Sequence, residues 1–189
     1  MILPAFRRGD HDRNIHALYG AIVAQARKPL FYTAYGVPDT VEGRFELIVL
    51  HLVLVLARLG RPHAAAPSRG GEPARTIGQR LFDVFCRDLD DNLREMGVGD
   101  LAVPREMRRF GEAFYGRQAS YTAALAAADN VELERAFARN IFAVGGVDAR
   151  EERLARYARG AAARLDTEEE GALVAGKVVF PGPEGFAHG

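Results

Sequence analysis

The chain has 189 residues, and 25 basic side chains balance 25 acidic ones, so its formal net charge is zero. This length fits one domain with an interior large enough to fold without disulfide or metal staples. The neutral balance gives no electrostatic footprint for nucleic acid. The lone Cys86 excludes an intrachain disulfide and fits a reducing compartment.

The first residues show no targeting pattern. The run from Met1 to Arg8 is too short for the apolar region of a secretory signal, and Asp10 and Asp12 argue against a mitochondrial presequence. The longest apolar run, Leu47–Ala57, falls well short of the about 20 residues that cross a bilayer. We therefore expect a cytoplasmic chain, with peripheral membrane contact left open.

Helical spacing of apolar residues begins near the N-terminus. A first predicted helix stops before Pro29 and buries Ile15, Leu18, Tyr19, Ile22, Val23 and Ala26. In the next helix, Asp39 and Glu42 predict a capping box. From Leu47 to Ala57 only His51 is polar, so this helix should lie buried at the centre of the domain.

Two amphipathic helices follow a stretch, residues 61–73, that is predicted to be a flexible surface loop. The third helix ends at Gly97, and the fourth begins near Pro104 with a break expected near Gly116. Their predicted inward residues are Ile77, Leu81, Val84, Phe85, Leu89, Leu93 and Met96 on the third helix, and Met107, Phe110, Phe114, Tyr121 and Leu125 on the fourth.

Two more capping boxes, Asp129 with Glu132 and Asp148 with Glu151, open a fifth and a sixth helix. The fifth buries Leu133, Phe137, Ile141 and Val144, and the sixth buries Leu154, Tyr157, Ala161 and Leu165. The predicted fold is therefore all-α, a compact single-domain bundle of about six helices around a buried central helix. We assign residues 1–171 to this bundle and residues 172–189 to a short irregular tail, either extended or laid on the surface.

The search for catalytic motifs gives little. Gly97-Val-Gly99 lacks the third glycine and the preceding strand of a phosphate-binding motif, and His11 and His16 are spaced so that they point to different sides of a helix. We expect no metal, no cofactor and no enzymatic activity.

His51 is the strongest single candidate for a catalytic or ligand-binding residue. The favoured interpretation is a buried histidine bonded to a nearby carbonyl or carboxylate. The alternative is a small helical enzyme or ligand-binding protein with a pocket near His51, completed by Glu46 or by an acid from the third helix.

An acidic face forms a second candidate. Asp88, Asp91 and Glu95 share one side of the third helix at i, i+3 and i+7. A solvated face is favoured, and the alternative is a docking surface or a set of salt bridges to Arg105, Arg108 and Arg109 on the next helix.

Two blocks of the chain resemble the ubiquinol–cytochrome c chaperone family, the assembly factors of respiratory complex III. The first block runs from Phe31 to His51 and continues to Arg58 and Leu59. The second comprises Leu81-Phe-Asp83, Asp88-Leu-Asp90, Leu93-Arg-Glu-Met-Gly-Val-Gly-Asp100, Phe114-Tyr-Gly-Arg117 and Tyr121. The likeness covers roughly residues 15–145.

The resemblance implies a non-enzymatic chaperone that binds cytochrome b, another complex III subunit or an early assembly intermediate. Mitochondrial members assist newly made cytochrome b at the ribosome and membrane together with a small helper protein, so those partners are implied too. A chain without a presequence resembles the bacterial branch, which would act in the cytoplasm or peripherally at the inner membrane.

Polar and aromatic motif residues are harder to explain by core packing than apolar ones. The expected partner-binding residues are Tyr35, Asp39, Arg44, Glu46, Asp88, Asp90, Arg94, Glu95, Tyr115 and Arg117. A protein that holds an apolar client should also expose a contiguous apolar patch larger than is usual for a monomer.

Overall fold

The computed structural model describes residues 4–61, 74–143 and 146–187, with side chains described from residue 12 onward. Within these ranges the chain is helical and contains no strand. The elements are α1 (Pro4–Ala26), α2 (Leu30–Thr33), α3 (Val41–Gly60), α4 (Ala74–Glu95), α5 (Val103–Ala126), α6 (Val131–Asn140), α7 (Ala149–Asp166), α8 (Glu170–Val174) and a 3₁₀ turn (Pro183–Phe186). The all-α prediction is confirmed, since the six longest helices are the six predicted ones and α2 and α8 are single short turns.

Two details of the helix predictions change. Helix α5 runs without interruption through Gly116, so the expected break is wrong. Residues 62–73 of the predicted loop, and Val144, lie outside the described residues.

Helix α3 forms the centre of the bundle, as its apolar sequence predicts. Every residue from Leu47 to Val55 is buried, and α3 packs against α1, α4, α5 and α7. The continuous apolar surface explains this position, because each side of the helix faces another helix.

The start of α3 differs from the predicted capping box. Thr40 is the N-cap residue, and its hydroxyl accepts a hydrogen bond from the Gly43 N–H at 3.1 Å. Asp39 instead accepts a hydrogen bond from Arg44 at 2.6 Å. Gly43 is required here because a Cβ at this position would overlap the carbonyl oxygen of Pro38.

The two later capping boxes have different outcomes. At α7 the box is formed: the Arg150 N–H donates to Asp148 at 2.8 Å, and the Asp148 N–H donates to Glu151 at 2.9 Å. At α6 the N-cap residue is Asn130 and makes no side-chain cap, and the Asp129 side chain accepts from the Val131 N–H, so the predicted box of Asp129 with Glu132 is not formed.

The C-terminal residues dock on the bundle. The predicted boundary after Gly171 falls inside α8, and Gly176 then adopts φ +79° where its backbone closely approaches Asn14. Residues 177–187, named here the strap, complete the described chain, and their 3₁₀ turn packs on α2 and α7. In the part of the chain that is described, no helix has both the length and the apolar character to cross a bilayer.

Candidate functional site

An open cleft of about 450 Å³ lies among α1, α3, α4 and α5. Its floor is apolar and aromatic: Phe45 stacks on Phe85 at 5.9 Å between ring centroids and meets Phe110 edge-on at 5.2 Å. Ile48, Leu89 and Leu93 complete this floor. The volume lies within the range of about 300–1,000 Å³ that is typical of ligand-binding clefts.

The mouth of the cleft is also apolar. Val41 at the start of α3 is 65% exposed, and Met96 just after α4 is 60% exposed, and both line the cleft. Large apolar side chains joined to an apolar floor favour a contact surface over isolated surface residues. Methionine is well suited to such a position because its unbranched side chain adapts to different partners.

One wall of the cleft carries the ion pair between Glu46 and Arg117. The Arg117 guanidinium donates to both Glu46 oxygens, at 2.7 Å and 2.5 Å, and so links α3 to α5. Burial raises the pKa of Glu46, and the guanidinium acts in the opposite direction. Because the two charges are paired with each other, a partner would recognise this wall by its shape and not by its charge.

The opposite wall carries Asp88. The Tyr19 hydroxyl donates to its carboxylate at 2.8 Å and joins α1 to α4. Burial, followed by this hydrogen bond, raises the pKa of Tyr19. Arg27 and Glu42 stand at the mouth as exposed charged residues.

The structure therefore brings three of the ten expected residues, Glu46, Asp88 and Arg117, into one cleft. Asp39 and Arg44 form an exposed ion pair at 2.6 Å, and this pairing lowers the pKa of Asp39 and raises that of Arg44.

The remaining expected residues lie apart from the cleft lining. Arg94 contacts Asp90 at 2.7 Å and also Asp100, which ties the end of α4 to the following turn. Glu95 is exposed beside Met96. Tyr115 is 59% exposed and borders a separate, smaller groove on α4 and α5.

The acidic face of α4 is not uniform. Asp88, Asp91 and Glu95 are all exposed, but the Asp88 carboxylate also accepts a hydrogen bond from Tyr19. The alternative of salt bridges to α5 is not formed by two of the arginines, since Arg105 and Arg109 both contact Glu106 on their own helix.

His51 is a fully buried structural histidine, as the favoured interpretation predicts. Its Nδ1 lies 2.7 Å from the Leu47 carbonyl oxygen, and its Nε2 lies 2.8 Å from the Tyr157 hydroxyl. Gln25 donates to the same hydroxyl at 2.8 Å, so Tyr157 in turn donates to His51 and the ring is neutral with its proton on Nδ1. Desolvation lowers the pKa of His51 to about 4.

The strap closes over this histidine. Phe180 packs edge-on against the His51 ring at 5.2 Å between centroids, and Phe186 packs on Tyr157 at 5.8 Å. Tyr35, expected at a partner surface, is completely buried and donates to the Pro183 carbonyl at 2.6 Å. His51 is therefore enclosed and both of its ring nitrogens are occupied, so the pocket of the alternative interpretation is filled by the chain itself.

The sequence analysis missed the apolar part of the cleft. Val41 and Phe45 were not singled out, and Met96 and Phe110 were assigned to the core. The sequence did contain a sign that Met96 is exposed. It directly precedes Gly97, which ends the predicted helix, and the helical spacing of buried residues no longer applies at that point. The ten candidates were all charged residues or tyrosines, so these apolar residues were not among them.

Comparisons with known proteins agree with this fold. A model of the ubiquinol–cytochrome C chaperone family matches residues 33–180. Ubiquinol-cytochrome c reductase complex assembly factor 1 of Drosophila melanogaster is 25% identical over 154 residues, which cover 80% of this chain and 58% of the fly protein. The chain thus corresponds to little more than half the length of that relative.

A solved structure extends the likeness to nearly the whole chain. The crystal structure of the Cbp3 homolog from Brucella abortus superposes with a TM-score of 0.82 at 34% sequence identity, covering 97% of this chain and 98% of that one. This agreement includes the family blocks and the helices that form the cleft. The chain is a member of the ubiquinol–cytochrome c chaperone family.

Proposed function

We propose that this chain is a non-enzymatic assembly factor for respiratory complex III and that it binds cytochrome b, or an early assembly intermediate that contains it, in the cleft beside α3. The observation that carries the proposal is an apolar cleft with an exposed apolar mouth in a member of this chaperone family. The fly relative is named as an assembly factor of ubiquinol-cytochrome c reductase, which gives the client complex.

The cleft suits an apolar segment of a client. Its aromatic floor gives a large contact area at low cost in side-chain entropy, and Met96 and Val41 can close against whatever enters. The Glu46–Arg117 pair links α3 to α5 along one wall of the cleft.

The expected contact residues divide into two groups under this proposal. Glu46, Asp88 and Arg117 shape the cleft, while Asp39, Arg44, Asp90, Arg94, Glu95 and Tyr115 belong to the surrounding surface, where the ribosome or a small helper protein would bind. Tyr35 acts indirectly by holding the strap. We further propose that the chain works in the cytoplasm, in peripheral contact with the inner membrane from which its client would be collected.

A site-specific cross-linking experiment tests the proposal. A photoreactive amino acid replaces Val41 at the mouth of the cleft, and in a matched protein it replaces Val179, which is 52% exposed on the strap. Illumination of cells of the native host, followed by mass spectrometry, should give a cytochrome b adduct from position 41 and little from position 179.

Complementation supplies the second measurement. In cells that lack the chain, assembled complex III on native gels should fall, and it should be restored by the wild type and by Val179→Asp but not by Val41→Asp. Equal rescue by both variants, or normal complex III without the chain, would refute the proposed function.

A further inference from the structure

The mouth of the cleft has an uneven distribution of charge. Glu42 and Asp88 line it, and Glu95 is exposed immediately before Met96. Arg27 also lines the cleft and is exposed. The neighbouring charges are already engaged with one another, as Arg44 binds Asp39, Arg94 binds Asp90 and Asp100, and Arg117 binds Glu46.

Two helix ends add to this negative character. Arg27 and Met96 follow the last residues of α1 and α4, so the carbonyl ends of both helices lie at the mouth. Such ends carry a partial negative charge that favours cations. The N-terminus of α3 also lies there with the opposite partial charge, which the Glu42 carboxylate in its first turn offsets.

We propose that the cleft recognises an apolar segment that is followed directly by Lys or Arg. The apolar residues of this segment would pack on Phe45, Phe110 and Met96, and the cation would pair with Glu42 and Asp88. This is the chemistry of the cytoplasmic end of a membrane-spanning helix, where apolar residues give way to basic ones. The proposal rests on the proposed function and specifies which part of the client the cleft holds.

Asp88 is well placed for this role. One of its oxygens accepts the Tyr19 hydrogen bond at 2.8 Å, which fixes the carboxylate at the wall. A carboxylate offers about four acceptor sites, so the hydroxyl leaves room for a client ammonium or guanidinium. The Tyr19 contact thus orients the charge and does not neutralise it.

Peptide binding to the full-length chain tests the recognition. Three fluorescent peptides share one apolar core of Leu, Phe and Ala residues and end in Lys-Lys, Gln-Gln or Glu-Glu, and anisotropy gives their affinities. We expect the Lys-Lys peptide to bind most tightly and the Glu-Glu peptide least tightly. The advantage of Lys-Lys over Gln-Gln should shrink as salt is raised.

Substitutions of the two carboxylates test whether they cause the preference for the Lys-Lys peptide. Glu42→Gln and Asp88→Asn should each weaken the Lys-Lys peptide by about two- to fivefold, as expected for a solvent-accessible ion pair, and should weaken the Gln-Gln peptide less, so that the Lys-Lys preference shrinks. Glu169→Gln, at an exposed acid far along the chain between α7 and α8, is the matched control and should change neither. Asp88→Asn keeps an acceptor for Tyr19, and urea unfolding checks that both variants remain folded.

Several results would overturn the recognition proposal. These are equal binding of the Lys-Lys and Glu-Glu peptides, binding of none of the three, and a Lys-Lys preference that survives both carboxylate variants. Self-association of the chain that Val41→Asp abolishes would assign the cleft to a second copy and would also overturn it.

The recognition and the proposed function can fail separately. Cross-linking from position 41 to cytochrome b, combined with equal affinity for all three peptides, would support the assembly role and refute the recognition of a basic residue. Normal complex III in cells without the chain, combined with a Lys-Lys preference that depends on Glu42, would refute the assembly role and support the recognition of a basic residue.

Discussion

Two aromatic regions beside α3 have opposite relations to solvent. Under the strap, Phe31, Tyr35, His51 and Tyr157 are fully buried, and the Phe180 and Phe186 rings cover the last two of them. On the other side, Phe45 and Phe110 form the floor of an open cleft with an exposed apolar mouth. The chain covers the first region with its own residues 177–187 and leaves the second uncovered.

The polar groups of the two regions differ in the same way. In the region under the strap, the Gln25, Tyr157, His51 and Leu47 groups satisfy one another in a continuous series. Around the cleft, Glu42 and Arg27 are exposed charged residues at the mouth, and Glu95 is exposed next to Met96 in the sequence. Apolar burial and complete hydrogen bonding stabilise the covered region, whereas the uncovered one keeps apolar area and charge available for a partner.

The largest predicted effect is on the covered region. His51→Ala removes a buried ring and leaves the Tyr157 hydroxyl without its acceptor, so we expect the free energy of unfolding to fall by about 3–5 kcal/mol. Urea unfolding monitored by circular dichroism measures this. His16→Ala, at an exposed position in α1, is the control and should cost far less. A loss below about 1 kcal/mol would show that the series of hydrogen bonds is not needed for stability.

Much of this covered core could be predicted from the sequence. The 3.6-residue period identified six helices, and the apolar run around His51 identified the central one. Periodicity is sufficient because each helix buries one stripe against its neighbours, and the middle of α3, residues 47–55, is buried on every side. The structural role of His51 followed from the same pattern, since a polar ring inside such a run must find partners nearby.

The strap could not be predicted in the same way. Its position depends on contacts between residues far apart in sequence, such as Tyr35 with Pro183, which are 148 positions apart. No local period reports such a contact. The N-cap of α3 was missed for a different reason: Asp39 and Thr40 are both good caps, and in the structure Thr40 is the cap while Asp39 pairs with Arg44.

The cleft was predicted only in part. Glu46, Asp88 and Arg117 were expected to bind a partner, but the apolar floor was assigned to the core. A helical stripe is apolar whether another helix covers it or not, so its pattern cannot distinguish a core from an open cleft. Only the packing of α1, α4 and α5 shows that part of this stripe, at Met96 and Phe110, stays uncovered.

Acidification should weaken the covered region by a somewhat smaller amount. Folded His51 has a pKa of about 4, against 6.5 for an unperturbed histidine. Between these values the unfolded chain binds the proton and the folded chain does not, so stability is lost as the pH falls from about 6.5 to 4. The contribution is about 3 kcal/mol over this window.

Unfolding free energies of the wild type and His51→Gln, measured from pH 7 to 4, isolate this contribution by difference, because carboxylates titrate in both proteins. The wild type should lose more stability than the variant, and exposed His16→Gln should follow the wild type. Parallel pH curves for the wild type and His51→Gln would indicate that folded His51 titrates normally.

Loosening the strap should have an intermediate effect. Tyr35→Phe removes the donor to the Pro183 carbonyl and should reduce stability by about 1–3 kcal/mol. It should also raise hydrogen exchange within residues 177–187. Tyr32→Phe is the matched control, because it removes a comparable bond from a half-buried tyrosine of α2 that goes to the Ala26 carbonyl and not to the strap. Faster exchange of the strap in both variants, or in neither, would mean that Tyr35 does not hold it.

The smallest change in stability is expected at the cleft. Met96→Ser replaces a side chain that is 60% exposed, so the free energy of unfolding should change by no more than about 0.5 kcal/mol. Leu101→Ser, at a 99% exposed residue in the turn before α5, is the matched control outside the cleft lining. Met96→Ser should nevertheless weaken capture of cytochrome b, and Leu101→Ser should not. A large loss of stability in Met96→Ser would instead make this side chain part of the covered core, and the contrast between the two regions would disappear.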